Sequence, residues 1–169
     1  AYAQTLLELA DLRLTALGVT VVSAAGNSYY TFQQQGVAYP AADPNSWAVG
    51  AVWDSDVGPA YWADGGIDYA TGADRLTVFS QRSTTQVDIF APGAEIYGAN
   101  YDGTWLTESG TSQATPHIAG IIALAQQEAV QFMGRKLTPT ELRTLMRQSA
   151  KTIHDGDDEN NNAIKTNQD

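Results

Sequence analysis

The sequence has no cysteine and no long apolar run, and it is poor in basic residues and in histidine. Without cysteine the chain forms no disulfide and no thiolate metal site. No apolar run approaches the roughly 20 residues that a membrane-spanning helix requires. Nine lysines and arginines stand against nineteen aspartates and glutamates, which gives a formal net charge of −10. This acidity argues against nucleic acid or an anionic membrane as a partner.

The chain nevertheless has the composition of a globular domain. It has 169 residues, of which 43% are hydrophobic and 9% are aromatic, and this is enough to build a core. The first residues, Ala1 to Gln4, lack the basic region that opens a secretory signal peptide. We therefore expect targeting information to be absent or to lie upstream.

Ser112 is the most informative residue of the chain. It lies between small residues at the predicted start of an almost wholly apolar helix, about 112–132, which we expect to be buried on most sides. A serine in the first turn of such a helix is held rigidly, and the helix dipole favours negative charge beside it. Ser112 is thus a candidate nucleophile. A helix N-cap is the competing structural role.

A second informative stretch lies upstream of this helix. Val19 to Ala25 is a β-branched apolar run, typical of a central parallel strand, and it ends in Gly26 and Asn27. Ligands of open α/β sheets bind at the carboxyl ends of such strands. The Asn27 amide could donate a hydrogen bond to an oxyanion there, although for this residue alone a turn position is the competing interpretation.

Together these stretches resemble the subtilisin-like serine protease family, the subtilases. The serine stretch matches the family motif Gly-Thr-Ser-x-Ala-(Ser/Thr)-Pro-His-(Val/Ile)-Ala-Gly, and residues 24–27 match its Ala-Ala-Gly-Asn motif. Weaker similarities include Tyr39-Pro40, a position where the family often has a cis peptide. The resemblance covers residues 5–150. It implies an α/β fold with a doubly wound parallel sheet, present in part, with the N-terminal strands and helices missing.

The resemblance also implies roles for individual residues. Ser112 would be the nucleophile and Asn27 an oxyanion-hole donor, and Ala25, Gly26 and Ala38 would line the substrate's primary specificity pocket. Ala38 stands where the family usually has glycine. The catalytic aspartate and histidine of a subtilase precede the asparagine motif, and no histidine precedes it here. We therefore expect both to lie on sequence absent from this chain, and we expect the isolated chain to be inactive.

Neither of the two histidines is expected to replace that base. His117 matches a packing residue of the family's serine helix, and His154 opens a polar tail in which we expect it to be solvated. We divide the chain into residues 1–153, the C-terminal portion of a catalytic domain, and 154–169, an acidic, asparagine-rich tail. We favour a disordered tail over a set of metal ligands.

The chemistry implied by the resemblance needs no cofactor, and no metal-ligating residue is assigned. Structural calcium is compatible with the acidic loop of Asp54, Asp56, Asp64 and Asp68, but its spacing is not that of an EF-hand, and we favour solvated carboxylates. The implied partners are a protein or peptide substrate and the missing N-terminal part or a partner chain. The implied location is extracellular.

Two functions from different classes stay open at this point. The first is a serine endopeptidase to which this chain supplies the nucleophile and part of the oxyanion hole. The second is a non-catalytic pseudoprotease or peptide-binding module that uses the same cleft.

Overall fold

The computed structural model describes residues 2–156 and 159–160. Within these ranges the elements follow one another as α1 (Tyr2–Ala16), β1 (Val21–Ala24), α2 (Tyr29–Phe32), β2 (Ser46–Val52), β3 (Ala60–Tyr61), β4 (Ile67–Asp68), β5 (Ile89–Pro92), β6 (Ile96–Ala99), β7 (Trp105–Glu108), α3 (Thr111–Met133) and α4 (Pro139–Ser149). Across this described part of the chain, no helix combines the length and apolar character needed to cross a bilayer.

The main sheet is parallel, in the order β1-β2-β5. Val21 of β1 pairs with Ser46, the first residue of β2, and Val49 of β2 pairs with Ile89 of β5. All seven residues of β2 are buried, as expected of the central strand of a covered parallel sheet. The alternation of helices and parallel strands confirms the α/β class predicted from the sequence.

The hydrophobic core lies between this sheet and the two C-terminal helices. Val49 of β2, Ile118 of α3 and Leu142 of α4 are among its most deeply buried members. The start of α4 is fixed by a capping box, which the residues Thr138-Pro139-Thr140-Glu141 encode. The Thr138 hydroxyl accepts from the backbone N–H of Glu141, while the Glu141 carboxylate accepts from the backbone N–H of Thr138.

The serine helix α3 is buried on one face only, so the expectation of burial on most sides was wrong. Ile118 and Ile122 face the core, whereas Leu124 is 63% exposed and Phe132 is 75% exposed. Helix α1 similarly presents Leu6 and Leu9 to the surface. The apolar periodicity therefore predicted the helices, but not which of their faces are covered.

The acidic loop that carries Asp54, Asp56, Asp64 and Asp68 contains a short hairpin, formed by β3 and β4. Residues 76–79 have the apolar composition of a strand, but they do not form one. Leu76 makes a single bridge to Val52, and the backbone N–H of Val78 donates to the Asp68 carboxylate instead of to a neighbouring strand. Helix α2 and strand β7 were not predicted.

The start of the predicted tail is held against the domain. Asp155 and Glu159 pair with the buried guanidinium of Arg82, so the expectation of a solvated, disordered tail is wrong for these residues. The remaining tail residues, 157–158 and 161–169, lie outside the described ranges. The domain boundary after residue 153 stays a prediction.

Candidate active site

Ser112 is the second residue of α3, and its side chain is exposed. The N-cap of this helix is Gly110, which provides no side-chain cap, so Ser112 does not act as the N-cap. The backbone N–H groups of a first helical turn lack intrahelical acceptors, and they carry the positive end of the helix dipole. Ser112 also lines a depression of about 330 Å³ together with Ile96 and Pro116. The hydroxyl is therefore accessible and lies in a field that favours negative charge.

Asn27 lies three residues beyond the end of β1 and reaches the same helix terminus. Its Oδ1 accepts two hydrogen bonds of 2.8 Å from Thr111, one from the backbone N–H and one from the hydroxyl. Because these bonds fix the carbonyl end of the amide on Thr111, the Nδ2 end is directed away from Thr111. In the described part of the chain, the Asn27 Nδ2 is hydrogen-bonded to no protein acceptor that the structure gives.

The free end of this amide lies close to the start of the serine helix. A Cβ atom built on Gly110 would be 2.9 Å from the Oε1 of Gln113, 3.0 Å from the Nδ2 of Asn27 and 3.6 Å from the backbone nitrogen of Ser112. Since glycine has no Cβ, no side-chain atom occupies that point. The Nδ2 of Asn27 and the backbone nitrogen of Ser112 thus border one small space, which the Oε1 of Gln113 also borders. These two donors suit an oxygen atom that carries developing negative charge.

Thr111 is a site residue that the sequence analysis missed. It is fully buried, and besides its bonds to Asn27 its Oγ1 accepts from the backbone N–H of Gly26 at 3.1 Å. One hydroxyl therefore ties the loop after β1 to the start of α3. Its position directly before Ser112 was the signal available in the sequence.

The three small residues predicted to line the specificity pocket lie together. The backbone N–H of Ala38 donates to the carbonyl of Ala25 at 2.7 Å. Gly26 has a φ of +112°, and a Cβ on it would lie 2.9 Å from the Cβ of Ala38. Glycine is therefore required here for both conformation and space. The peptide bond between Tyr39 and Pro40 is cis, as expected from the resemblance.

The two histidines occupy different surroundings. His117 lies on α3 five residues after Ser112, and its Nδ1 is 2.8 Å from the carbonyl of Gln113 on the same helix. Its side chain is exposed, so in the described structure it is not the packing residue that was predicted. His154 is exposed, in agreement with the prediction.

The acidic loop gives no sign of a metal centre. Asp54, Asp56 and Asp64 are exposed, as predicted. Asp68 is the exception, since it is 1% exposed and accepts hydrogen bonds from the Trp62 indole and from the Val78 backbone. Among residues 2–156 and 159–160, no group of three histidine or carboxylate side chains is arranged to hold a metal ion.

Comparisons with known proteins agree with this architecture. The subtilase family pattern matches residues 2–168. Alkaline serine exoprotease A of Vibrio alginolyticus is 38% identical over 120 residues, which are 70% of this chain and 21% of that protein. Subtilisin DY of Bacillus licheniformis is 33% identical over 120 residues, 71% of this chain and 37% of that protein.

Solved structures give the same result. A cold adapted subtilisin-like serine proteinase superposes with a TM-score of 0.69 at 34% identity, over 91% of this chain and 46% of that one. Sphericase superposes with a TM-score of 0.67 at 29% identity, over 89% of this chain and 46% of that one. The chain thus spans less than half the length of each of these relatives. Family match, sequence identity and fold agree, and the chain belongs to the subtilase family.

Proposed function

We propose that this chain carries the nucleophile and part of the oxyanion hole of a serine endopeptidase. Ser112 Oγ loses its proton to a histidine base and attacks a peptide carbonyl. The tetrahedral intermediate then expels the amine, which takes up that proton, and leaves an acyl-enzyme that water hydrolyses. Support comes from the exposed position of this serine at the start of α3 and from family membership.

The observation that carries the proposal is the orientation of the Asn27 amide. Thr111 holds Oδ1 with two hydrogen bonds, so Nδ2 is available to a substrate oxygen. The oxyanion would then receive one hydrogen bond from Nδ2 and one from the backbone N–H of Ser112. Donors that are fixed before the reaction stabilise the transition state without reorganisation.

The general base is proposed to come from sequence outside this chain. A triad needs a histidine that reaches the nucleophile and a carboxylate that orients the histidine. His117 is bonded to its own helix through Nδ1. His154 follows the end of α4 in the chain and is next to Asp155, which pairs with Arg82. We expect the isolated 169-residue chain to hydrolyse casein poorly or not at all.

The substrate is proposed to be a protein or peptide bound beside Ala25, Gly26 and Ala38. Their small side chains leave space for a large substrate side chain, and the Cβ of Ala38 narrows that space slightly compared with glycine. The proposed location is extracellular, on the ground of family membership. No cofactor takes part in the proposed chemistry. A structural calcium ion stays a hypothesis, and a calcium titration that left the thermal stability unchanged would remove it.

A fluorophosphonate probe tests the proposal, because it labels a serine only when that serine is activated. In the longer protein that includes the base, we expect labelling of Ser112, and Ser112→Ala should abolish it. The isolated chain should label much more slowly. An unlabelled Ser112 in a protein with the complete triad would favour the alternative, a pseudoprotease or peptide-binding module. Efficient casein hydrolysis by the isolated chain would contradict the external base.

A further inference from the structure

The loop that carries Asn27 is joined to a distant segment by backbone hydrogen bonds. Each of three bonds connects a residue of 26–36 with a residue of 79–82. They run from the N–H of Tyr29 to the carbonyl of Phe79 at 3.1 Å, from Gln81 to Gly26 at 2.8 Å, and from Gly36 to Arg82 at 3.0 Å. Two of these bonds involve residues within two positions of Asn27. The placement of segment 79–82 therefore constrains the placement of the Asn27 loop.

Arg82 is the anchor of segment 79–82. Its guanidinium is fully buried and donates to the carbonyl of Thr77 at 2.7 Å. Two further bonds, of 2.7 and 3.0 Å, go to the two carboxylate oxygens of Glu159, and one of 2.8 Å goes to Asp155. The guanidinium also lies over the Tyr29 ring, 4.0 Å from its centroid. The planar donors of arginine suit this bidentate geometry, which lysine cannot reproduce.

One partner of Arg82, Glu159, is itself held against the β3–β4 hairpin, as is its neighbour Asn160. Asn160 pairs with Ile67 in both directions, since its N–H donates to the Ile67 carbonyl at 3.1 Å and its Oδ1 accepts from the Ile67 N–H at 2.9 Å. Glu159, which is 2% exposed, forms an isolated antiparallel β-bridge with Asp68 through the backbone. The described residues 155–156 and 159–160, here called the C-terminal clamp, thus contact both the hairpin and Arg82.

We propose that the C-terminal clamp positions the oxyanion-hole loop, and that Arg82 is the positioning residue that transmits this constraint to Asn27. The path runs from Glu159 and Asp155 to Arg82, and from there through the Tyr29 ring and the backbone bonds of segment 79–82. Every step of this path is a contact given above. The consequence for catalysis rests on the proposed function, whereas the mechanical link does not.

Protonation of Glu159 in the C-terminal clamp provides a way to follow the link between the clamp and the Asn27 loop. Glu159 faces one cation, Arg82, together with the carboxylates of Asp155 and Asp68 and the phenol of Tyr29. Burial, with a contribution from the two carboxylates, raises the pKa of Glu159 to about 7, although Arg82 acts in the opposite direction. Protonation of Glu159 changes the charge that faces Arg82, so a coupled Asn27 loop must respond to it.

Nuclear magnetic resonance of the isotopically labelled protein tests the link between Glu159 and the Asn27 loop, and it requires no catalytic activity. We expect the carboxyl carbon of Glu159 and the amide signals of Gly26 and Asn27 to shift with one common midpoint near pH 7. The amide of Gly134, at the far end of α3, should not follow this titration. This measurement compares the midpoint of Glu159 with those of Gly26 and Asn27 in the unaltered protein. The test therefore does not depend on whether any variant folds.

Three variants separate the proposal from other causes. Glu159→Gln should abolish the titration of the Asn27 amide, whereas His154→Gln should leave it intact, which excludes the histidine next to the clamp. Glu141→Gln is the matched control, because it removes a surface glutamate that pairs with Arg135. It should leave the titration of the Asn27 amide unchanged. An Asn27 signal that is indifferent to the protonation of Glu159, or that still titrates in Glu159→Gln, would overturn the proposal. Failure of fluorophosphonate labelling alone would overturn the proposed function and leave the positioning link intact.

Discussion

Thr111→Val tests whether one hydroxyl holds the two halves of the candidate site together. Valine keeps the β-branched shape of threonine, but it cannot accept from the Gly26 N–H or donate to the Asn27 Oδ1. Thr111 is fully buried, so water cannot take the place of the hydroxyl without movement of the surrounding chain. We therefore expect a loss of stability that a simple change of packing would not produce.

The size of this loss follows from the two bonds. The Gly26 N–H loses its only acceptor given in the described structure, and a donor left without a partner in this way costs about 1–2 kcal/mol. Asn27 Oδ1 keeps its bond to the Thr111 N–H, so the loss there is about 1 kcal/mol. The free energy of unfolding should fall by about 2–3 kcal/mol, which for a chain of this size lowers the midpoint of thermal unfolding by roughly 4–12 °C.

Circular dichroism during heating or in urea measures this change, and Thr111→Ser is the matched control. Serine keeps the hydroxyl and loses one methyl group, which costs about 0.8 kcal/mol. Thr111→Ser should therefore be the more stable of the two variants. If Thr111→Val equalled or exceeded Thr111→Ser in stability, the inference that this hydroxyl links Gly26 and Asn27 would be refuted.

Three further predictions concern other parts of the chain. Gly26→Ala should destabilise the protein by more than about 1 kcal/mol, because a Cβ there would meet Ala38. Gly18→Ala is the control: Gly18 has a φ of +79° but open surroundings, so this change should cost less stability. Equal losses of stability in urea unfolding would refute the steric argument. The raised pKa of Glu159, about 7 in the folded state against 4.5, stabilises the folded state below pH 4.5, and this contribution is lost as the pH rises through 7. Urea unfolding at a series of pH values should show the unaltered protein losing up to about 3 kcal/mol relative to Glu159→Gln over this range, and parallel pH profiles would contradict it. Thr138→Ala removes the N-cap of α4 and should cost about 1 kcal/mol, which thermal unfolding would detect; an unchanged midpoint would show that the capping box does not stabilise the helix.

The parts of the candidate site that could be proposed from the sequence are those encoded locally. Ser112 and Asn27 each lie in a short motif at the end of a strongly patterned element, so both the element and the residue could be found from neighbours in sequence. The buried strand β2 and the capping box of α4 were predictable for the same reason, since periodicity and capping depend on residues only a few positions apart.

The parts that were missed depend on contacts between distant residues. Arg82 and Glu159 are separated by 77 positions, and each looks like an ordinary surface charge until the fold brings them together. Residues 76–79 have the composition of a strand, but the backbone N–H of Val78 donates to the Asp68 side chain and not to a ladder. The exposed faces of α1 and α3 show the same limit, because a periodic pattern predicts an apolar face without stating what covers it.

The central claim is that the Asn27 amide and the Ser112 N–H act on one oxyanion, and Asn27→Leu in the protein with a complete triad tests it most directly. Removing one such side-chain donor lowers kcat by about 100- to 1,000-fold, the magnitude known for the asparagine donor of subtilisin. We predict a loss of that size in kcat with little change in KM, since the donor would act on the transition state and not on the bound substrate. A variant that retained full kcat, or that lost only substrate affinity, would contradict the account.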